Sequence, residues 1–151
     1  MTGRLVTAEI NLENFAHNFK AVKKLLKPKT KIMAMVKGNA YGHGDIEISK
    51  TAVNLGASYL GVACLFEAQR LRDAKIKTPI LLVGYTDPSD YSSILDLDCE
   101  LNVMNQPALK ILDKLARKAN KLAKIHVKID TGMHRLGISP EEARKFIPKI
   151  E

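Results

Sequence analysis

The 151-residue chain carries 24 Lys plus Arg against 16 Asp plus Glu, a formal charge of +8, so it has room for one compact domain and suits an anionic cofactor or nucleic acid as partner. Nucleic acid is disfavoured, because Lys23, Lys24, Lys27, Lys29 and Lys31 cluster without interleaved aromatic residues and no Trp, helix-turn-helix or zinc-ligand pattern occurs. Cys64 and Cys99 form no CxxC and read as buried thiols of a reducing compartment; with no signal peptide and no membrane-length apolar run, the expectation is a cytoplasmic protein without metal or membrane contact.

Leu5 to Ile10 reads as a strand, and Asn11 caps a helix whose apolar positions Leu12, Phe15, Ala16, Phe19, Val22 and Leu26 recur at helical spacing until Pro28 stops it. Ile32 to Val36 is an unbroken apolar run too short for a helix, the pattern of a strand buried on both faces of a parallel sheet. Alternation places Met33, Met35 and Lys37 on one face and Ile32, Ala34 and Val36 on the other. Lys37 therefore stands at the strand's C-terminal end, where parallel α/β folds bind ligands. An amine held there, stripped of part of its hydration, is a better nucleophile toward an aldehyde. Gly38, Gly42 and Gly44 let the following loop turn tightly.

Downstream the chain alternates. A helix from Asp45 to Leu55 closes at Gly56, Tyr59 to Ala63 is a strand and Phe66 to Asp73 a helix. The strand Ile80 to Val83, a helix from Asp87-Pro88 to Leu95 and a weaker strand from Glu100 to Val103 follow. A long helix from Asn105 to Ala119 should bury Ala108, Ile111, Leu112 and Leu115; Lys124 to Asp130 is the next strand, and Ser139-Pro-Glu-Glu142 a capping box. Such repetition means right-handed βαβ units around a parallel sheet. Five strands fall short of the eight that close a (β/α)8 barrel of about 250 residues. If the chain is barrel-derived, it supplies about five of eight strands of such a barrel, truncated, with open edges at Ile32 and Ile125; a five-stranded doubly wound sheet is the alternative.

The segment from Ala123 to Gly137 forms a second constellation. Lys124, His126, Lys128 and Asp130 alternate with an apolar set and would face the barrel interior, leaving Met133 and Arg135 at the strand's mouth. Lys128 and Arg135 would repel each other unless paired. Either Asp130 neutralises one of them, or Lys128 reacts with carbon dioxide to give a carbamate that accepts a bidentate bond from Arg135. His126 reads as a strand histidine satisfied inside the barrel, His43 and His134 as locally bonded loop residues, and Asn39 as a residue bonding nearby backbone.

Val36-Lys37-Gly38-Asn39-Ala40-Tyr41-Gly42-His43-Gly44, with Val127-Lys-Ile-Asp-Thr-Gly-Met-His-Arg-Leu-Gly137, resembles the alanine racemases, although that family more often has Ala where Gly38 stands. The resemblance implies that pyridoxal phosphate is carried on Lys37, that Tyr41 reaches its phosphate, that Arg135 touches cofactor and substrate, and that Lys128 is carbamylated. It implies an L-/D-alanine racemase supplying D-alanine for peptidoglycan precursors, working as a homodimer in which a tyrosine from the partner's C-terminal domain is the second base. On this reading residues 1–151 are the N-terminal portion of the barrel domain, the other barrel strands and a β-domain lie outside them, and the fragment is inactive alone. A non-catalytic pyridoxal-phosphate-binding protein of the same barrel fold is the alternative.

Overall fold

The computed structural model describes residues 6–150. Five strands, β1 (Met33–Met35), β2 (Tyr59–Val62), β3 (Ile80–Leu82), β4 (Glu100–Val103) and β5 (Ile125–Val127), form one sheet in sequential order with every neighbouring pair parallel. A doubly wound sheet reverses its strand order at a switch point. The order here never reverses, so the chain has the arrangement of consecutive barrel strands and the doubly wound alternative falls.

The helices that precede, connect and follow the strands are α1 (Leu12–Lys24), a five-residue turn α2 (Lys37–Tyr41), α3 (Asp45–Asn54), α4 (Leu65–Asp73), α5 (Tyr91–Asp96), α6 (Gln106–Lys118) and α7 (Pro140–Phe146). Their ends follow the sequence closely. Asn11 and Asn105 accept from the backbone N–H groups of Asn14 and Ala108, and Ser139 with Glu142 forms the reciprocal capping box. A 3-10 turn, Pro88–Asp90, capped by Asp87, replaces the start of the expected Asp87-to-Leu95 helix.

Register sorts the sheet into two faces. Leu60, Val62, Ile80, Leu82, Leu101 and Val103 are almost completely buried and pack with Leu71, Ile94 and Leu112 of the helices. The opposite, inner face carries Met33, Met35, Tyr59, Gly61, Leu81, Glu100, Asn102 and His126, which the register places side by side. Burying the outer row of six aliphatic side chains at roughly 2 kcal/mol each gives the sheet its main attachment to the helix layer.

Several expectations change. β1 is the open edge expected at Ile32, but it is half-buried with Met35 exposed rather than buried on both faces, because only β2 pairs with it among the described residues. Residues 6–10 are exposed and form no strand, since no described strand pairs with them; Leu5 lies outside the described residues. Val22 of α1 and Ile111 of α6 face solvent, at 56% and 42% exposure, because each helix meets the core along a narrower stripe than its apolar spacing suggests. Cys99 is buried as expected, but Cys64 is exposed, standing at the N-cap of α4 on the rim of the sheet.

Candidate active site

The C-terminal ends of all five strands lie at one edge of the sheet because all run parallel. Lys37 leaves β1 there, half-buried, and no described residue hydrogen-bonds or ion-pairs with its amine. The chain then winds left-handed: Gly38, Asn39, Ala40 and Tyr41 have φ of 62°, 55°, 51° and 54°. Left-handed backbone costs about 1–2 kcal/mol for each residue with a β-carbon, so Asn39, Ala40 and Tyr41 store strain that outside contacts must hold.

Those contacts are specific. Glu67, in the first turn of α4, accepts the Gly38 N–H on Oε1 and the Ala63 N–H on Oε2, both at 2.6 Å. It ties the lysine turn to the end of β2. Asn39 Oδ1 accepts from the Asp45 N–H at 3.1 Å, which gives Asn39 the backbone-bonding task read from its type. Buried Asp45 in turn takes an Arg70 guanidinium bond at 2.9 Å. His43 Nδ1 lies 2.9 Å from the Ala40 carbonyl, a local bond as expected of a loop histidine. Ala40 itself is buried in the core and anchors the turn from below. Glu67 was not found by sequence reasoning. The only signal was a carboxylate three residues after a cysteine N-cap that makes no side-chain cap bond.

Tyr41 is exposed. With Met35, Ala40 and His43 it borders a cleft of about 580 Å³ whose other wall is residues 9–18 of α1 and its approach. Met33 and Met35 act as packing residues, and their sulfur atoms lie over Gly61, where a β-carbon would collide with Met35 Sδ.

On the far flank, β5 is followed by a loop closed on itself. Ile138 donates its N–H to the Lys128 carbonyl and accepts from the Asp130 N–H, both at 2.9 Å. A β-carbon on Gly137 (φ 123°) would stand 2.6 Å from the Asp130 nitrogen, so only glycine closes this loop. Asp130 Oδ1 accepts from the N–H groups of Gly132, Met133 and His134, and Oδ2 faces His134 Nδ1 at 3.1 Å. The Gly132 N–H first, and then the His134 N–H, hold the Asp130 carboxyl below its ordinary value. Asp130 is thus committed to the loop rather than to Lys128 or Arg135, against one of the two expectations for it. Lys128 is half-buried and Arg135 exposed, and no described residue pairs with either side chain. His126 Nε2 meets buried Glu100 Oε2 at 2.6 Å and its ring stands edge-on to Tyr59, so it is satisfied inside the sheet as expected.

Lys37 and Tyr41 thus share the turn that follows β1, and Lys128 and Arg135 the segment that follows β5. These segments leave the two outer strands of one sheet at the same edge, with three strands between them. Among the described residues no cluster of metal-ligating side chains occurs, and no helix is long and apolar enough to cross a membrane.

Residues 10–151 match the sequence model of a family described as alanine racemase, N-terminal domain. The alanine racemase of Desulforamulus reducens is 42% identical over 137 residues, covering 91% of this chain and 37% of that protein. The alanine racemase of Methanococcus maripaludis is 41% identical over 143 residues, covering 95% and 38%. Among solved structures, an alanine racemase of Clostridium difficile 630 superimposes with a TM-score of 0.90 at 32% identity, over 98% of this chain and 41% of that one. The chain spans about two fifths of the length of the relatives it matches.

Proposed function

The chain belongs to the alanine racemase family, and from that premise we propose that residues 1–151 supply one half of the apparatus that interconverts L- and D-alanine with pyridoxal phosphate. One observation carries the reading: an amine without a partner, Lys37, stands at the C-terminal end of the first parallel strand in a strained turn that Glu67 and Asn39 hold in place.

The donor set fits such a cofactor. An aldehyde requires an unpaired amine, and Lys37 offers one; a phosphate requires donors, and the exposed Tyr41 hydroxyl in the same turn is available. Lys37 and Tyr41 are the residues that would hold it, with the exposed guanidinium of Arg135 on the opposite flank. When bound, pyridoxal phosphate supplies the electron sink without which an amino acid's α-proton is too weak an acid to remove.

The chain's own residues do the rest. Lys37 Nζ would serve one face of the α-carbon only, as the base that takes the proton there in one direction of the reaction and the acid that delivers one there in the other, while the group on the opposite face does the reverse. Arg135 carries five fixed donors on a loop closed by Gly137, suited to holding negative charge on cofactor and substrate. Lys128, the residue after β5, is the proposed carbamate, an anion to accept bonds from Arg135. The group on the opposite face of the α-carbon is assigned to a residue outside 1–151, a tyrosine of the partner subunit in a homodimer. On this reading the 151 residues do not racemise alanine by themselves. Turnover by the purified chain comparable to that of a longer relative would refute that.

The test of the cofactor site is independent of turnover. The purified chain is incubated with pyridoxal phosphate, reduced with borohydride and mapped by peptide mass. A pyridoxyl group on Lys37, lost in Lys37→Ala, is the expected result. Labelling spread over surface lysines, or none on Lys37, would sink the assignment.

A further inference from the structure

The inner row of β5 repeats one relationship. Lys124 Nζ donates to Asp98 Oδ1 at 2.7 Å, and His126 Nε2 meets Glu100 Oε2 at 2.6 Å. Each pairs a nitrogen of the β5 segment with a carboxylate 26 residues earlier, in the segment that forms β4. Two residues further along, the same spacing of 26 sets Lys128 opposite Asn102, with no bond between them. At this third rung an amide stands where the first two have an acid.

Asn102 is 8% exposed, and its Nδ2 has no hydrogen-bond partner. It sits beside His126 in the register, and the Lys128 N–H bonds to the carbonyl of its neighbour Val103 at 3.3 Å, so the two side chains share the inner face on adjoining strands. The Lys128 side chain is half-buried, and no described residue pairs with it. Asn102 Oδ1 is the rung's own acceptor, but no described residue accepts from Asn102 Nδ2 or from the Lys128 amine. A buried donor left unsatisfied is costly, and an anion formed on Lys128 would give Nδ2 the acceptor it lacks.

We propose that Asn102 is the positioning residue that makes Lys128 a carbamylation site, donating from Nδ2 to the carbamate. The inference rests on the reading of Lys128 as a carbamate given above. The step balances without any redox partner. The uncharged Lys128 amine donates its lone pair to the carbon of carbon dioxide and a C–N bond forms. One C–O π pair moves to oxygen, and an N–H proton leaves to solvent. The lysine then becomes the acid of its own rung, with the Asn102 amide as donor. A carboxylate at position 102 would instead hold the ammonium, as Asp98 holds Lys124, and would repel the product.

The experiment follows the carbamate carbon by 13C NMR of the 151-residue chain in 13C-bicarbonate, with far-UV circular dichroism as a fold check on each variant. A signal lost in Lys128→Ala identifies the site. Asn102→Asp should lower it at least tenfold, Asn102→Ala severalfold, and Asn102→Thr, which keeps an uncharged donor, should retain most of it. Wild-type intensity in folded Asn102→Asp or Asn102→Ala overturns the role of Asn102 while leaving the carbamate in place; if Asn102→Asp does not fold, Asn102→Ala decides. A wild-type chain with no Lys128-dependent signal overturns the carbamate reading itself, and the role of Asn102 with it.

Discussion

Glu67 holds Gly38: one carboxylate oxygen takes the Gly38 N–H while the other takes the Ala63 N–H, so a single side chain of α4 bridges the turn after β1 and the end of β2. The two residues are 29 apart in sequence. The turn that carries Lys37 is thus tied to a residue outside its own segment as well as to the local Asn39 bond.

Replacing Glu67 by Gln puts an amide N–H₂ against one of two backbone donors. Loss of a charge-assisted bond at this half-buried site should destabilise the chain by about 1–2 kcal/mol. Urea unfolding measures the loss. The pyridoxyl yield at Lys37 should fall more steeply than the folded fraction does. Equal losses would mean that Glu67 supports the fold but not the turn.

Gly137→Ala sets a β-carbon against the Asp130 backbone at φ 123°. The expected effect is about 2–3 kcal/mol, concentrated in the loop that carries Arg135. Amide exchange should rise across residues 130–138 and remain slow in β2 and β3. Protection unchanged in the loop would contradict the closure described for it.

Asp130 gives a pH-dependent version of the same prediction. Its folded value is depressed below the ordinary 3.8, chiefly by the Gly132 N–H. The stabilisation it adds is therefore fully present above the unfolded value and is lost as pH falls through the folded one. The amide resonances of Gly132, Met133 and His134 should move together on acidification below about pH 4, and Asp130→Asn should abolish the transition. A transition that survives in Asp130→Asn would place its origin elsewhere.

The two faces of α6 can be separated by truncation. Leu112 is fully buried and Ile111 is not, so Leu112→Ala should cost about 3 kcal/mol and Ile111→Ala under about 1. Thermal or urea unfolding of the pair settles it; similar losses would mean that Ile111 is covered in solution.

Much of this was legible in the sequence, for identifiable reasons. The β1 apolar run ending in Lys37, the caps at Asn11 and Asn105 and the box at Ser139 are local signals, and the structure keeps them. The regular alternation of elements gave a parallel sheet of βαβ units but left a doubly wound order open, which the sequential pairing of the strands removes. What was not legible depends on partners distant in sequence. The left-handed path through Asn39, Ala40 and Tyr41 runs against the preference of residues bearing β-carbons, and only tertiary ties such as Glu67 impose it. Spacing likewise marked Val22 and Ile111 as apolar-face residues, but how wide a stripe each helix buries is decided by the neighbours it meets.

The reversed winding at residues 38–41 has a practical consequence for chemistry at the neighbouring amine. A synthetic peptide spanning residues 31–46 would contain every letter of the lysine motif and the local Asn39 and His43 bonds, but it would not keep the shape, because the Glu67 clamp comes from the helix after the next strand. Reactivity toward an aldehyde in such a peptide should match that of any free lysine. Whatever selectivity the amine has is therefore a property of the assembled sheet, and it should vanish with the first local opening between β2 and α4, before the chain as a whole comes apart.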